Sequence, residues 1–94
     1  MTLEEFRRTL SRRAPPAQAS PPLAALWWAA KGNWNKAHAI AMDAGGKDAA
    51  WVHAYLHRVE GDLANARYWY RQAGREPATS ALATEWEEIA GALL

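Results

Sequence analysis

The three histidines of the chain are the residues whose type and spacing could do chemistry. His53 and His57 lie four residues apart in a segment with helical periodicity, so both imidazoles are expected on one helix face. Glu60 follows one turn later, and His38 lies in a preceding segment that could face them. Two imidazoles and one carboxylate are a ligand set that suits a divalent metal. One hypothesis is therefore that these four side chains bind a metal or a small molecule.

The same histidines allow two other interpretations. Imidazole is suited to proton transfer near neutral pH, so a histidine beside a nearby carboxylate could serve as an acid or base, for example in hydrolysis. The sequence shows no recognisable nucleophile setting and no phosphate-binding glycine loop, which favours a non-enzymatic protein without a cofactor. In the third interpretation, His53 and His57 are surface or interface residues that hydrogen-bond to neighbouring carbonyl or carboxylate groups.

The segment Ala49–Arg75 must position the histidine pair, and its pattern predicts two amphipathic helices. Gly61 is expected to adopt the left-handed conformation that ends the first helix, and Asp62 to cap the start of the second. The apolar residues of each helix recur at the spacing of one buried stripe. These stripes are Val52, Tyr55, Leu56 and Val59 on the first helix, and Leu63, Ala66, Tyr70 and Ala73 on the second.

The whole chain of 94 residues is interpreted as one all-α domain of about six helices. An N-terminal helix is predicted within residues 1–13, because Thr2 and Glu5 fit a capping box. The proline-rich segment 14–22 is predicted to be a linker. Three further units complete the prediction: a first hairpin at 23–46 with its turn at Gly32, a second hairpin at 47–75, and a C-terminal capping helix at 79–94.

The two predicted hairpins repeat at an offset of 29 residues, which is the distance from Gly32 to Gly61 (61 − 32). The segments G-N-W-N-K-A at Gly32–Ala37 and G-D-L-A-N-A at Gly61–Ala66 resemble the turn-plus-helix part of the tetratricopeptide family. The resemblance covers about residues 23–75. It implies stacked antiparallel hairpins in a short tetratricopeptide-like array that binds proteins or peptides. The run Trp51–Gly74 also resembles a small bacterial protein family with no assigned activity.

The six tryptophans are more than so small a domain is expected to bury completely. Trp27, Trp51 and Trp86 are predicted to lie in the core, whereas Trp28 and Trp69 fall off the main stripes. Exposed aromatic rings are common anchors for partners. The leading hypothesis is therefore a small non-catalytic module that binds a protein or peptide, and a homodimer is a further hypothesis. The predicted partner contacts are Trp69, Asn65, His53, His57, Arg71 and Trp28.

Composition narrows the classes of partner. The net charge of +1 does not supply the clustered basic field that nucleic-acid binding requires. The chain has no cysteine, so no disulfide framework is expected. Its longest apolar run, Leu23–Ala30, is too short to span a bilayer, and the first residues lack the apolar segment of a secretory signal. A cytoplasmic location without nucleic-acid or membrane partners is expected.

Overall fold

In the computed structural model, which describes residues 1–94, the chain forms six α-helices and no β-strand. The prediction of an all-α chain with six helices is confirmed. The helices are α1 (Leu3–Arg8), α2 (Pro21–Ala30), α3 (Trp34–Ala44), α4 (Gly46–Glu60), α5 (Leu63–Ala73) and α6 (Leu82–Leu93), and a 3₁₀ turn at Thr9–Ser11 follows α1.

Local signals at the N-terminal end position α1 and α2. Thr2 and Glu5 form the predicted capping box. The first α-helix ends at Arg8, before the predicted residue 13, because the chain tightens into the 3₁₀ turn. Ser20 caps α2, whose first turn contains Pro21 and the next proline. The first turn of a helix tolerates proline since its N–H groups have no partner within the helix, so α2 begins inside the predicted linker.

The turns after α2 and α4 share one geometry. Gly32 and Gly61 have φ values of +79° and +83°, in the left-handed region. The N–H of Asn33 donates to the Trp28 carbonyl, and the N–H of Asp62 donates to the His57 carbonyl, 29 residues further along. Asn33 and Asp62 then cap α3 and α5 through their side chains. The repeat found in the sequence therefore has a counterpart in the turn geometry.

The helix α4 is the centre of the fold. It packs against α2, α3, α5 and α6, and α2 also packs against α3. The last helix, α6, lies against both α2 and α4 and contacts α1. One apolar core of buried residues runs through all six helices, and it includes Trp27, Trp51 and Trp86 as predicted.

A buried polar network anchors α6 to α4 and α5. The Glu85 carboxylate on α6 is 1 % exposed and accepts hydrogen bonds from Arg58 (2.7 Å) and the Tyr70 hydroxyl (2.5 Å). The Trp51 indole N–H is the third donor, at 3.3 Å. Trp86 adds a bond from its own indole to the Leu26 carbonyl on α2. These bonds connect α6 to α2, α4 and α5.

Two residues of the predicted apolar stripes are exposed. Val59 and Leu63 flank the turn at Gly61 and are 44 % and 56 % exposed, so their assignment to the core was wrong. Both lie at helix ends, where the chain turns away from the packed helices. None of the helices combines the length and apolar character that crossing a membrane requires.

Candidate functional site

The three histidines meet on one side of α4, between α3 and α5. His53 and His57 occupy successive turns of α4, and His38 approaches them from α3. We call His38, His53 and His57 the histidine cluster, and the space between α3 and α5 above α4 the α3–α5 groove. The sequence-based suggestion that His38 faces the pair is confirmed.

The rings of the histidine cluster are close enough to share one ion. The ring centroid of His38 lies 4.6 Å from that of His53 and 5.4 Å from that of His57. The centroids of His53 and His57 are 4.9 Å apart. One nitrogen from each residue lies within 4.8 Å of the other two. Two ligands of a tetrahedral zinc ion, each about 2.0–2.1 Å from the metal, are about 3.4 Å apart, so nitrogens within 4.8 Å of one another are near the spacing that one ion requires.

Two tryptophans hold the outer rings of the cluster. The Trp34 ring stacks on His38 with 4.7 Å between centroids and an interplanar angle of 11°. The Trp69 ring stacks on His53 at 3.8 Å and 12°. Trp34 is itself held by a hydrogen bond of 2.7 Å from its indole N–H to the Leu56 carbonyl. The aromatic contacts limit the ring orientations of the histidines they cover.

A carboxylate orients the third ring. The Nδ1 atom of His57 lies 2.6 Å from Oε1 of Glu60, one turn later on α4. This bond leaves the second ring nitrogen of His57 free for another partner. Glu60 and Asp62 are exposed at the turn near His57. One ring nitrogen of His57 and one carboxylate oxygen of each acidic residue lie within 4.8 Å of one another. Negative charge therefore borders the cluster on its solvent side.

The environment of His38 and His53 favours neutral imidazole. Burial, and after it the neighbouring charges of His38 and His57, lower the pKa of His53 to about 4. Burial also lowers the pKa of His38, an effect that Glu60 opposes. Neither ring takes part in a hydrogen bond within the protein, and none of their nitrogens is fully enclosed. Neutral imidazole with a free lone pair is the form that binds metals.

The α3–α5 groove continues past the cluster into an open cleft of ≈ 300 Å³. Trp69 belongs to both, because it stacks on His53 and also lines the cleft. Small residues of α4 form the floor of the cleft, and longer side chains border it. The lining residues are Ala41, Met42, Gly45, Gly46, Lys47, Ala49, Ala50, Trp69 and Gln72.

The predicted partner contacts are not all on one surface. His53 and His57 are 2 % and 5 % exposed, so the prediction that they meet a partner at the surface does not agree with their burial. The spacing of four residues placed them on one face but did not show that α3 and α5 cover that face. Trp69 is half-buried in the α3–α5 groove, and Asn65 and Arg71 are exposed on α5.

Trp28 lies apart from the cluster. Its half-buried ring packs edge-on against Trp27 on α2, and the Lys36 ammonium lies 4.2 Å from its ring centroid. Trp34, in contrast, is a site residue that was not among the contacts or ligands predicted from the sequence. Its signal was present, because Trp34 and His38 are four residues apart and therefore share a helix face.

Comparison of this chain with protein-family models, with curated proteins and with solved structures produced no match. The function must therefore be argued from the geometry of the chain itself.

Proposed function

We propose that this protein binds a divalent transition-metal ion through His38, His53 and His57. The observation that carries the proposal is the convergence of all three imidazoles of the chain, with one nitrogen of each within 4.8 Å of the others. His53 and His57 are buried, and burial together with the charges of its histidine neighbours disfavours the charged form of His53. Neutral imidazole with an unpaired ring nitrogen is the form that donates its lone pair to a metal ion.

The ligand set narrows the class of metal. Imidazole nitrogen suits zinc, copper, nickel and cobalt, whereas calcium and magnesium prefer oxygen ligands. The contact between His57 and Glu60 has the arrangement in which a carboxylate orients a metal-binding histidine through its other ring nitrogen. Glu60 is therefore assigned an orienting role in place of the direct ligand role considered from the sequence.

Three protein ligands leave one position of a tetrahedral ion for water or another ligand. Structural zinc sites instead take four protein ligands. The apolar core of this chain connects its helices without the three histidines. The metal is therefore assigned to ligand binding or chemistry rather than to holding the fold.

The test is zinc binding by protein that carries no histidine tag, measured by isothermal titration calorimetry. We expect one zinc ion per chain. Replacing one ligand, as in His53→Ala or His57→Ala, should weaken binding by more than the roughly 10–100-fold that follows loss of an orienting group. Glu60→Gln should weaken zinc binding by about 10–100-fold, since this variant keeps all three imidazoles.

The matched control for Glu60→Gln is Glu76→Gln, an exposed carboxylate outside the cluster, which should leave zinc binding unchanged. Circular dichroism of each variant separates loss of ligand from loss of fold. Wild-type protein that binds zinc no more tightly than His53→Ala would overturn the proposal.

We also propose, as a second candidate, a tetratricopeptide-like module that stacks two hairpins and binds a protein or peptide. The shared turn geometry at Gly32 and Gly61 supports it. The α3–α5 groove, which α6 does not cover, offers such a partner an open surface. Trp69 is half-exposed there and Asn65 is exposed nearby on α5. A chain that binds no zinc would make this candidate the one to test next.

A further inference from the structure

The histidine cluster and the cleft are consecutive parts of one groove. On α4, the cleft residues Ala49 and Ala50 come four and three residues before His53, which is about one helical turn. On α3, the cleft residue Met42 comes four residues after His38, again about one turn. On α5, Trp69 serves both parts. A ligand bound at the cluster therefore has the cleft as its neighbouring space.

The walls of the cleft suit a short carbon chain. The floor consists of Ala49 and Ala50, which are small and apolar. The ring of Trp69 and the side chain of Met42 line the cleft, and Met42 is 62 % exposed. Apolar contact of this kind favours the hydrocarbon part of a ligand.

The charge of the cleft selects an anion. Lys47 is the single charged residue among those that line it, and no acidic side chain does so. The Lys47 ammonium forms neither an ion pair nor a hydrogen bond within the protein. Lys47 lies near the start of α4, about 9 Å of helix rise before His53, and its side chain lines the cleft. A bound metal at one end and Lys47 at the other would place two positive charges along the groove.

Building on the proposed metal site, we infer that the α3–α5 groove binds a small dicarboxylate. One carboxylate of this ligand occupies the open position of the metal. The carbon chain lies over Ala49 and Ala50 beside Trp69, and the second carboxylate pairs with the Lys47 ammonium. Both ends are then neutralised by a partner of opposite charge, which is the arrangement that a short dianion requires.

The test compares glutarate with pentanoate, which has the same carbon chain but a single carboxylate. Each is titrated into the zinc-loaded protein by isothermal titration calorimetry. We expect glutarate to bind about tenfold more tightly, the size expected for one additional charge-assisted hydrogen bond. In Lys47→Gln, glutarate should bind only as tightly as pentanoate while zinc affinity stays the same.

The control variant is Lys36→Gln, which removes the same charge from a lysine that lies over Trp28 and does not line the cleft. It should bind glutarate as the wild type does. Equal binding of the two acids by the wild type, or unchanged glutarate binding by Lys47→Gln, would overturn the inference. If zinc binds and glutarate does not, only the dicarboxylate inference fails. If zinc does not bind, the metal site fails and the inference fails with it.

Discussion

At the scale of single residues, the site depends on His38 and His53, whose surroundings oppose their protonation. His53 is stacked beneath Trp69 and has two further histidines as neighbours. The loss of water on burial and the positive charge of protonated neighbours both favour neutral rings. The same features that prepare His53 to donate a lone pair to a metal make acid conditions unfavourable for the folded, metal-free protein.

This setting predicts that the metal-free protein loses stability as the pH falls from 6.5 towards 4. The folded pKa of His53, about 4, lies below its ordinary value of 6.5, so the unfolded chain binds more protons throughout that window. His38 and His57 are the titratable groups that face it, and Glu60 lies beyond them against His57. We expect the free energy of unfolding to decrease by on the order of 2 kcal/mol, as measured by urea denaturation across this pH range.

The variant for comparison is His53→Gln, which removes the titrating group and keeps a polar side chain. Its stability should depend less on pH between 6.5 and 4, although its absolute stability differs. An equally steep profile in wild type and variant would show that His53 does not cause the loss.

At the scale of helices, the turns and caps determine where the site residues lie. His57 precedes the turn at Gly61 by four residues, and its carbonyl accepts the hydrogen bond that closes that turn. Asp62 then begins α5, which carries Trp69 to its place over His53. An error in this turn would change how α4 and α5 pack and would displace the tryptophan from the imidazole.

Two glycine substitutions test this role of backbone conformation. Gly61 has a φ of +83°, which a residue with a Cβ adopts at a cost, so Gly61→Ala should destabilise the protein by about 1 kcal/mol. Gly91 lies within α6 without a positive φ and has open space around it. Gly91→Ala should instead stabilise the protein by about 0.5–1 kcal/mol because alanine favours the helix. Thermal unfolding measures both, and equal shifts for the two variants would contradict this account.

At the scale of the whole molecule, α6 closes one side of the fold and leaves the α3–α5 side available. Its buried faces contact α2 and α4, and the Glu85 network connects it to both α4 and α5. Burial raises the pKa of the Tyr70 hydroxyl, and its hydrogen bond to Glu85 raises it further, so the phenol remains a donor. The anchored α6 therefore leaves the groove that contains the histidine cluster uncovered.

Removal of the Glu85 charge should destabilise the whole fold. In Glu85→Gln the Arg58 guanidinium loses its buried counterion, and three donors then face an amide that offers one acceptor oxygen. Breaking a buried ion pair of this kind costs about 3 kcal/mol or more. The control is Glu88→Gln on the exposed face of α6, which should change stability by less than about 0.5 kcal/mol. Urea denaturation measures the free energy of unfolding of both variants. Similar values would show that the Glu85 charge does not stabilise the fold.

Local sequence patterns were sufficient to predict much of the helical framework. The Thr2–Glu5 capping box, the turns at Gly32 and Gly61, and the cap at Asp62 all depend on residues within a few positions of one another. Helix ends that depend on wider context were less accurate, as the early end of α1 at Arg8 shows. The tetratricopeptide resemblance stays a prediction.

The candidate site was also predictable from the sequence only in part. The helical period alone determined that His53 and His57 share a face of α4 and that Trp34 and His38 share a face of α3, because those pairs depend on one helix each. Only the tertiary structure decided that the two faces meet, that Trp69 from α5 covers His53, and that both α4 histidines are buried. The physical reason is that burial and convergence depend on the packing of helices far apart in sequence, which the period of any single helix does not encode.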